Sequence, residues 1–163
     1  MKCSPQCRAV TEWCYDKPSM LFYDHEHIIE SCAGVQQGDP LGPLYFCCGI
    51  MAMVSDIQAM NPVCNKWYMD DGGIIGDVEL LTKVWDLIKS RGPELGLHLH
   101  PSKCEWSWLD PTCTLPCPIR LDGVSEADQV KLIPHSNIQM LGEVICLYLI
   151  AWSRNYLVDC NPP

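Results

Sequence analysis

Positive charge is scarce in this chain. Lys and Arg together number 11 against 20 Asp and Glu, which gives a formal net charge of −9 over 163 residues. Because a nucleic-acid backbone is bound through clustered Lys and Arg, this balance argues against tight binding of nucleic acid by the chain alone. Any hypothesis that involves nucleic acid therefore has to explain the acidic composition.

Segments typical of membrane or secreted proteins are also missing. The apolar run Ile145 to Trp152 is far shorter than the roughly 20 residues that a transmembrane helix needs. The first residues, M-K-C-S-P-Q-C-R, lack the apolar stretch of a signal peptide. We therefore expect an intracellular protein, in the nucleus or the cytoplasm, with no membrane partner.

Cysteine, in contrast, is abundant, with 12 residues. In an intracellular chain we expect these thiols to be reduced rather than joined in a disulfide framework. Two pairs, Cys3/Cys7 and Cys113/Cys117, have a C-x3-C spacing that could suggest zinc. No second pair follows either one at the spacing of a zinc finger, so a cysteine-based metal module is the weakest of the functional hypotheses.

The first part of the chain predicts a hairpin, a loop and a helix. Apolar arms around a polar D-H-E-H tip predict a β-hairpin over Ser19 to Ser31. Three glycines and two prolines in Gly34 to Pro43 predict an irregular loop. The almost wholly apolar segment Leu44 to Met60 predicts a buried helix, in which Cys47 and Cys48 would be small core residues.

The second part predicts another hairpin and another helix. β-Favouring residues flank a turn at Asp71-Gly72 and predict a hairpin over Lys66 to Gly76. Asp77 can cap a helix that runs to about Ser90 and ends at Gly92-Pro93. Further predictions are strands over Leu95 to Leu99 and Ile138 to Leu149, and a surface loop over Asp110 to Gln129. The expected fold class is α+β, with helices packed on one face of an antiparallel sheet.

The adjacent carboxylates Asp70 and Asp71 are the most informative feature of the second hairpin. Two like charges at one turn repel, unless a cation lies between or beside them. Convergent carboxylates are typical ligands of Mg²⁺, and two such ions can clamp the attacking and leaving oxygens of a phosphoryl transfer. The pair by itself favours a solvent-exposed D-D-G-G turn over a metal site, so its context has to decide.

That context closely resembles the palm of reverse transcriptases, most nearly those of non-LTR retrotransposons. The sequence Y-M-D-D, Tyr68-Met69-Asp70-Asp71, follows V-Q-Q-G-D-P-L-G-P and a long apolar helix at the family's distance. The resemblance implies that Asp70 and Asp71 hold Mg²⁺ on a catalytic hairpin that includes Tyr68 and Met69. It also implies that a loop with Gln37, Gly38 and Pro40 lies under the nascent base pair and the template. The helix from about Leu44 would then pack beneath the palm sheet.

Flanking segments extend the resemblance over roughly Glu12 to Ile145. G-L-H-L-H-P-S-K-C-E resembles a family motif whose lysine, here Lys103, is a candidate acid for the leaving pyrophosphate; an ordinary surface lysine is the competing interpretation. Q-M-L-G-E-V-I, with Leu141 and Gly142, resembles the primer grip. Upstream, E-W-C-Y-D-K-P-S-M-L-F resembles the segment that leads into the Gln-Gly loop.

The family's third catalytic aspartate, in a D-x-x-N-A-F motif, is not found in this sequence. Asp24 is interpreted as a polar hairpin tip, and the fingers and most of the thumb are expected to be absent. Basic residues of the family lie mainly on those parts, which would explain the acidic composition. We expect the chain to be organised as an N-terminal remnant (1–11), a partial palm (12–109), a variable loop (110–137), primer-grip-like strands (138–149) and an atypical tail (150–163).

Two hypotheses of different classes follow. The first is a fragment of an RNA-directed DNA polymerase, inactive alone, whose family partners are an RNA or DNA template with primer and deoxynucleoside triphosphates. The second is an inert relic or protein-binding remnant that keeps the palm scaffold without catalysis. The pairs His25/His27 and His98/His100 are interpreted as partly exposed strand residues rather than metal ligands. Trp106 and Trp108 alternate along the chain, and such alternating aromatic residues are more typical of packing on a sheet face than of base stacking.

Overall fold

A computed structural model describes residues 5–22, 27–36, 38–138 and 147–152 of the chain. Helices and sheets alternate along these residues, so the prediction of an α+β protein is confirmed. The chain divides into two compact units, Met1–Pro43 and Leu44–Pro163. None of the helices within the described residues has the length and apolar character required to cross a bilayer.

The first unit contains helix α1, Pro5–Tyr15, and a hairpin of β1, Ser19–Phe22, with β2, Ile28–Ser31. The strands are antiparallel with Ser19 opposite Ser31, as the sequence predicts. The hairpin tip at residues 23–26, which includes Asp24 and His25, lies outside the described residues. Five apolar side chains of the two strands are at least half exposed: Met20, Leu21, Phe22, Ile28 and Ile29.

Helix α2, Gly42–Ala59, begins two residues before its predicted start. Pro43 occupies its first turn, where a proline needs no amide hydrogen. The prediction of a buried helix is correct for one stripe of residues only, which consists of Ile50, Met53 and Ile57. Cys47 and Cys48 lie off this stripe, so Cys47 is exposed and Cys48 half-buried rather than core residues.

A five-stranded sheet forms the centre of the second unit, with the strand order β3-β4-β7-β5-β6. Its strands are β3 Cys64–Tyr68, β4 Asp71–Asp77, β5 Glu105–Trp108, β6 Lys131–Leu132 and β7 Leu147–Trp152. Strands β3 and β4 form the predicted hairpin. Strand β7 overlaps the end of the predicted strand Ile138 to Leu149, whose residues 139–146 lie outside the described part of the chain.

The prediction of an antiparallel sheet is confirmed for one strand pair of this unit, whose sheet is mixed. Only β3 and β4 are antiparallel among its described pairings, whereas β4–β7, β5–β7 and β5–β6 are parallel. The physical reason is the crossover through helix α3, Val78–Arg91, which returns the chain to the edge from which β4 started. Strands β4 and β5 therefore run in the same direction, with β7 between them.

Both large helices pack on one face of this sheet, as predicted. Ile74, Leu149 and Trp106 lie in one row across three strands and are completely buried. Helix α3 covers this face with a stripe of buried residues at helical spacing, which consists of Leu81, Val84, Trp85 and Ile88. Helix α2 joins the same core through its own stripe.

Local signals set the limits of α3. The carboxylate of Asp77 accepts a hydrogen bond of 2.8 Å from the Leu80 amide, which satisfies a free N–H of the first turn. Gly92 ends the helix, and its amide donates to the carbonyl of Ile88. The start and end predicted from the sequence are confirmed at both positions.

The segment after α3 contradicts the predicted strand over Leu95 to Leu99. Gly92–Leu95 forms a 3-10 turn, and residues 97–100 have no regular structure. The Leu97 amide donates to the Gly92 carbonyl at 2.8 Å, so the chain turns back on itself there instead of pairing in the sheet.

The long connection between β5 and β6 is irregular, as predicted for Asp110 to Gln129. It is fastened at its end by Gln129, whose side-chain amide donates to the carbonyls of Leu121 and Val124 at 2.7 and 3.1 Å. The same side chain accepts a hydrogen bond of 2.9 Å from the Leu121 amide. A buried glutamine thus replaces regular secondary structure in holding this loop.

The central strand supplies the first prediction. Leu149→Ala removes a fully buried side chain from β7 and should lower the free energy of unfolding by about 2–5 kcal/mol. Val63→Ala, at a position 70% exposed, should change it by less than about 0.5 kcal/mol. Urea denaturation followed by far-ultraviolet circular dichroism measures both, and equal stabilities of the two variants would show that β7 does not occupy the core.

Candidate functional site

The hairpin of β3 and β4 closes through a two-residue turn at Met69 and Asp70. Tyr68 pairs with Asp71 across the ladder, so Asp71 is the first residue of β4 rather than part of the turn. The predicted turn dipeptide Asp71-Gly72 is therefore wrong by two positions. Met69 takes a φ of 54°, which is unusual for a residue other than glycine.

The reason for this register lies in the packing of Trp67 over Gly72. These two residues are opposite each other in the ladder. A Cβ atom at Gly72 would lie 2.9 Å from the ring atoms Cη2 and Cζ3 of Trp67. Gly72 therefore lies within the strand, where its lack of a side chain makes room for the indole ring of Trp67, and the turn is formed by Met69 and Asp70.

A chain of polar contacts fastens the hairpin to helix α2. The indole N–H of Trp67 donates to the Asn65 side-chain oxygen at 2.7 Å. The Asn65 amide nitrogen in turn donates to the carbonyl of Val54 at 3.1 Å and to the Gln58 side-chain oxygen at 3.3 Å. The strand that leads into Tyr68 and Met69 is therefore positioned by the helix beneath it.

Side chains that alternate along a strand point to opposite faces, so Asp71 lies on the face opposite α2 and α3. Lys66, Glu105 and Lys131 share that face, because they fall in one row across the sheet through Gly73 and Tyr148. We call this surface, with Lys66, Asp71, Glu105 and Lys131, the charged face. Its two lysines balance its two carboxylates locally, in spite of the acidic composition of the chain.

Lys103 lies at the same edge of the sheet as the two aspartates. Asp71 precedes the row residue Gly73 by two positions, and Lys103 precedes the row residue Glu105 by two. Because β4 and β5 are parallel, these two positions lie at the same edge with β7 between them. The short turn Pro101–Lys103, in which the Lys103 amide donates to the His100 carbonyl at 2.9 Å, holds the half-buried lysine there.

Glu105 is a site residue that the sequence analysis did not single out. Partial burial raises the pKa of its carboxyl above the usual value, and the charge of Lys131 opposes this shift. In the sequence, Lys103 and Glu105 alternate within the motif S-K-C-E, which indicates that both side chains point to one face. Which charged residues share that face depends on the neighbouring strands. Glu105 is the second carboxylate of the charged face, two strands away from Asp71.

The carboxylates do not form a closed metal site by themselves. No group of three or more His, Cys, Asp or Glu side chains that could hold a metal ion occurs within the residues that the structure describes. Asp70 and Asp71 are half-buried neighbours at the turn. Two carboxylates suit Mg²⁺ when substrate phosphates complete its coordination, so the residues present fit a substrate-dependent site better than a permanent one.

The predicted template-contact residues belong to the first unit. Gly38 is exposed and takes a φ of 91°, which favours glycine, and Pro40 is exposed two residues later. Gln37, together with the primer-grip residues Leu141 and Gly142, lies outside the described residues.

The minor candidates divide into exposed and buried groups. His98 and His100 are exposed on irregular backbone rather than on the predicted strand, and His27 is exposed just before β2. Trp106 and Trp108 pack edge to face with ring centroids 5.6 Å apart, so the prediction that they pack on the sheet is confirmed. Cys113 and Cys117 are half-buried free thiols, and burial raises the pKa of Cys117.

The contact of Trp67 with Gly72 generates a second prediction. Gly72→Ala should lower the free energy of unfolding by about 1–3 kcal/mol and change the near-ultraviolet circular dichroism of tryptophan, because the new methyl group displaces the ring. Gly49→Ala is the matched control: its Cβ would meet nothing within 4 Å, and alanine should stabilise α2 by about 0.5–1 kcal/mol. A Gly72→Ala protein as stable as the wild type would contradict the register of the hairpin.

Comparison with known proteins adds no second line of support for the site: no protein-family model, curated protein or solved structure matches this chain. The interpretation of the hairpin therefore rests on its sequence motifs and on the geometry described above.

Proposed function

We propose that the chain is a fragment of an RNA-directed DNA polymerase, the palm of a reverse transcriptase of non-LTR retrotransposon type. The observation that carries this proposal is the common edge of the sheet at which Asp70, Asp71 and Lys103 lie. The motif resemblance predicts that these three residues act together, although Lys103 lies 32 positions after Asp71 in the sequence. The parallel arrangement of β4 and β5 brings them to one edge.

Each residue has a definite task in this proposal. Asp70 and Asp71 would hold Mg²⁺ against the triphosphate of an incoming deoxynucleotide. When bound, the ion polarises the phosphate and stabilises the charge that develops during attack by a primer 3′-hydroxyl. The ammonium of Lys103 would neutralise the departing pyrophosphate and donate a proton to it. Lys66 and Lys131 offer cations to a nucleic-acid backbone on the charged face.

A second candidate function is a remnant that binds protein without catalysis. Two observations favour it: within the described residues the carboxylates form no group of three, and the β1–β2 hairpin exposes five apolar side chains. Loss of one of three convergent carboxylates costs an enzyme orders of magnitude in rate. We therefore propose a chain that keeps the nucleotide-binding geometry of the palm and is inactive by itself.

Binding of Mn²⁺, a paramagnetic substitute for Mg²⁺, tests the proposal without requiring activity. Mn²⁺ with a deoxynucleoside triphosphate should broaden the amide signals around Asp70 and Asp71 in nuclear magnetic resonance spectra. The double variant Asp70→Asn, Asp71→Asn should lose this broadening, because its amides cannot replace two charged ligands. Asp86→Asn, which removes an exposed carboxylate from α3, should retain it. Broadening that persists in the double variant would overturn the assignment of the site.

Primer extension separates the two candidate functions. With Mg²⁺, deoxynucleotides and a primed template, we expect no measurable extension by this chain, as for its Asp70→Ala, Asp71→Ala variant. Extension by the wild type that disappears in the double variant would rule out the inert remnant and would show that two carboxylates suffice.

A further inference from the structure

A second polar network lies in the first unit, around the hydroxyl group of Tyr15. Tyr15 is the last residue of α1 and belongs to the segment that precedes the first hairpin. Its hydroxyl group donates to the carboxylate of Asp39 and accepts a hydrogen bond of 3.3 Å from the backbone amide of Gln36. One side-chain oxygen therefore contacts two residues that lie three positions apart.

Those two residues flank the Gln-Gly pair. The Asp39 amide also donates to the Gln36 carbonyl at 3.2 Å, so the backbone at residue 39 returns to residue 36. Gly38 between them has a φ of 91°, which is the conformation that favours glycine in a tight turn. The turn is already closed by the backbone hydrogen bond between residues 36 and 39, and the hydroxyl group of Tyr15 forms a second bridge between the same two residues.

Asp39 extends the network toward α2. Its second carboxylate oxygen accepts a hydrogen bond of 2.8 Å from the Leu41 amide, and its carbonyl accepts one of 3.0 Å from the Gly42 amide, the first residue of α2. On the other side, the side chain of Gln36 donates to the hydroxyl of Ser19 in β1. The loop is consequently fastened to α1, to β1 and to the start of α2.

We propose that Tyr15 and Asp39 form a clasp that joins residues 36 and 39, the two ends of the turn that carries Gly38. In this proposal Tyr15 is a positioning residue for template contact by the turn and by Pro40, which follows it. The meaning of the loop rests on the proposed function, whereas the clasp itself rests on the hydrogen bonds. A hydrogen bond to a carboxylate is stronger than one between neutral groups, so a single phenol can restrain a loop that is otherwise exposed.

The ionisation of the two partners agrees with such a contact. The hydrogen bond to Asp39 raises the pKa of the Tyr15 phenol above its usual value, and the same bond lowers the pKa of the Asp39 carboxyl. The hydrogen bond therefore forms in the pH range between these two pKa values. It is lost as the pH falls through the lowered pKa of Asp39, and as the pH rises through the raised pKa of Tyr15. At neutral pH both groups are in the protonation state that the bond requires.

Amide hydrogen exchange of the full chain, without metal or nucleic acid, tests the clasp. Tyr15→Phe removes only the hydroxyl group, and we expect exchange at Gln36, Asp39 and Leu41 to accelerate about tenfold. Ser55→Ala, which removes an exposed hydroxyl group from α2, should leave these three rates unchanged. In both variants the amides of α3 should keep their protection, and equal rates at the loop in Tyr15→Phe and wild type would overturn the clasp.

Asp39→Asn provides a second measurement in case the phenylalanine variant loses protection in α3 as well. The titration of Tyr15 is obtained from ultraviolet absorbance as the difference between a protein and its Tyr15→Phe form. Its midpoint should fall toward the usual tyrosine value in the Asp39→Asn background, because the acceptor charge is gone. A midpoint that does not move would also overturn the clasp.

A primer–template duplex then tests the positioning role separately. Tyr15→Phe should bind the duplex more weakly than the wild type, and the loss of affinity should follow the loop exchange rates. Ser55→Ala, which removes an exposed hydroxyl group from α2, should bind the duplex as the wild type does. Faster loop exchange with unchanged duplex affinity would overturn the positioning role and leave the clasp as a structural contact. If neither the wild type nor any variant binds the duplex, the proposed function and the positioning role are both overturned. The hydrogen-exchange result still decides whether the clasp exists.

Discussion

The sheet of the second unit depends on one strand that fills the space between β4 and β5. These two strands are joined by a helical crossover and run parallel, but they are not neighbours, so their backbone groups need a partner between them. Strand β7 supplies it, with ladder partners from Gly72 to Asp77 on one side and from Glu105 to Trp108 on the other. The core row, the charged face and the common edge of Asp71 and Lys103 all follow from this insertion.

Local chemistry explains which parts of the fold could be predicted from the sequence. The cap at Asp77, the apolar spacing of α3 and the stop at Gly92 act over a few residues, and each was found in its predicted place. The hairpin of β3 and β4 was predicted for the same reason, but its turn was misplaced because D-G is usually a turn and here Gly72 lies under Trp67. A contact between side chains overruled the preference of a dipeptide.

Long-range pairing explains what could not be predicted. Strand direction is decided by which strands become neighbours, and nothing within β4 or β5 identifies β7 as the strand between them. The predicted strand at Leu95 to Leu99 failed because apolar alternation was outweighed by the turn that Gly92 and Leu97 close. For the candidate site, motif spacing identified Asp70, Asp71 and Lys103, whereas Glu105 became visible only through its place in the row across the sheet.

The backbone of Met69 has a consequence for the two carboxylates beside it. A left-handed conformation costs a residue other than glycine about 1–2 kcal/mol, which the pairing of β3 with β4 has to offset. The turn is therefore a strained conformation that the hydrogen bonds between β3 and β4 maintain. The backbone positions of Asp70 and Asp71 are then dictated by the strands that the turn joins, instead of by the mutual repulsion of the two carboxylates.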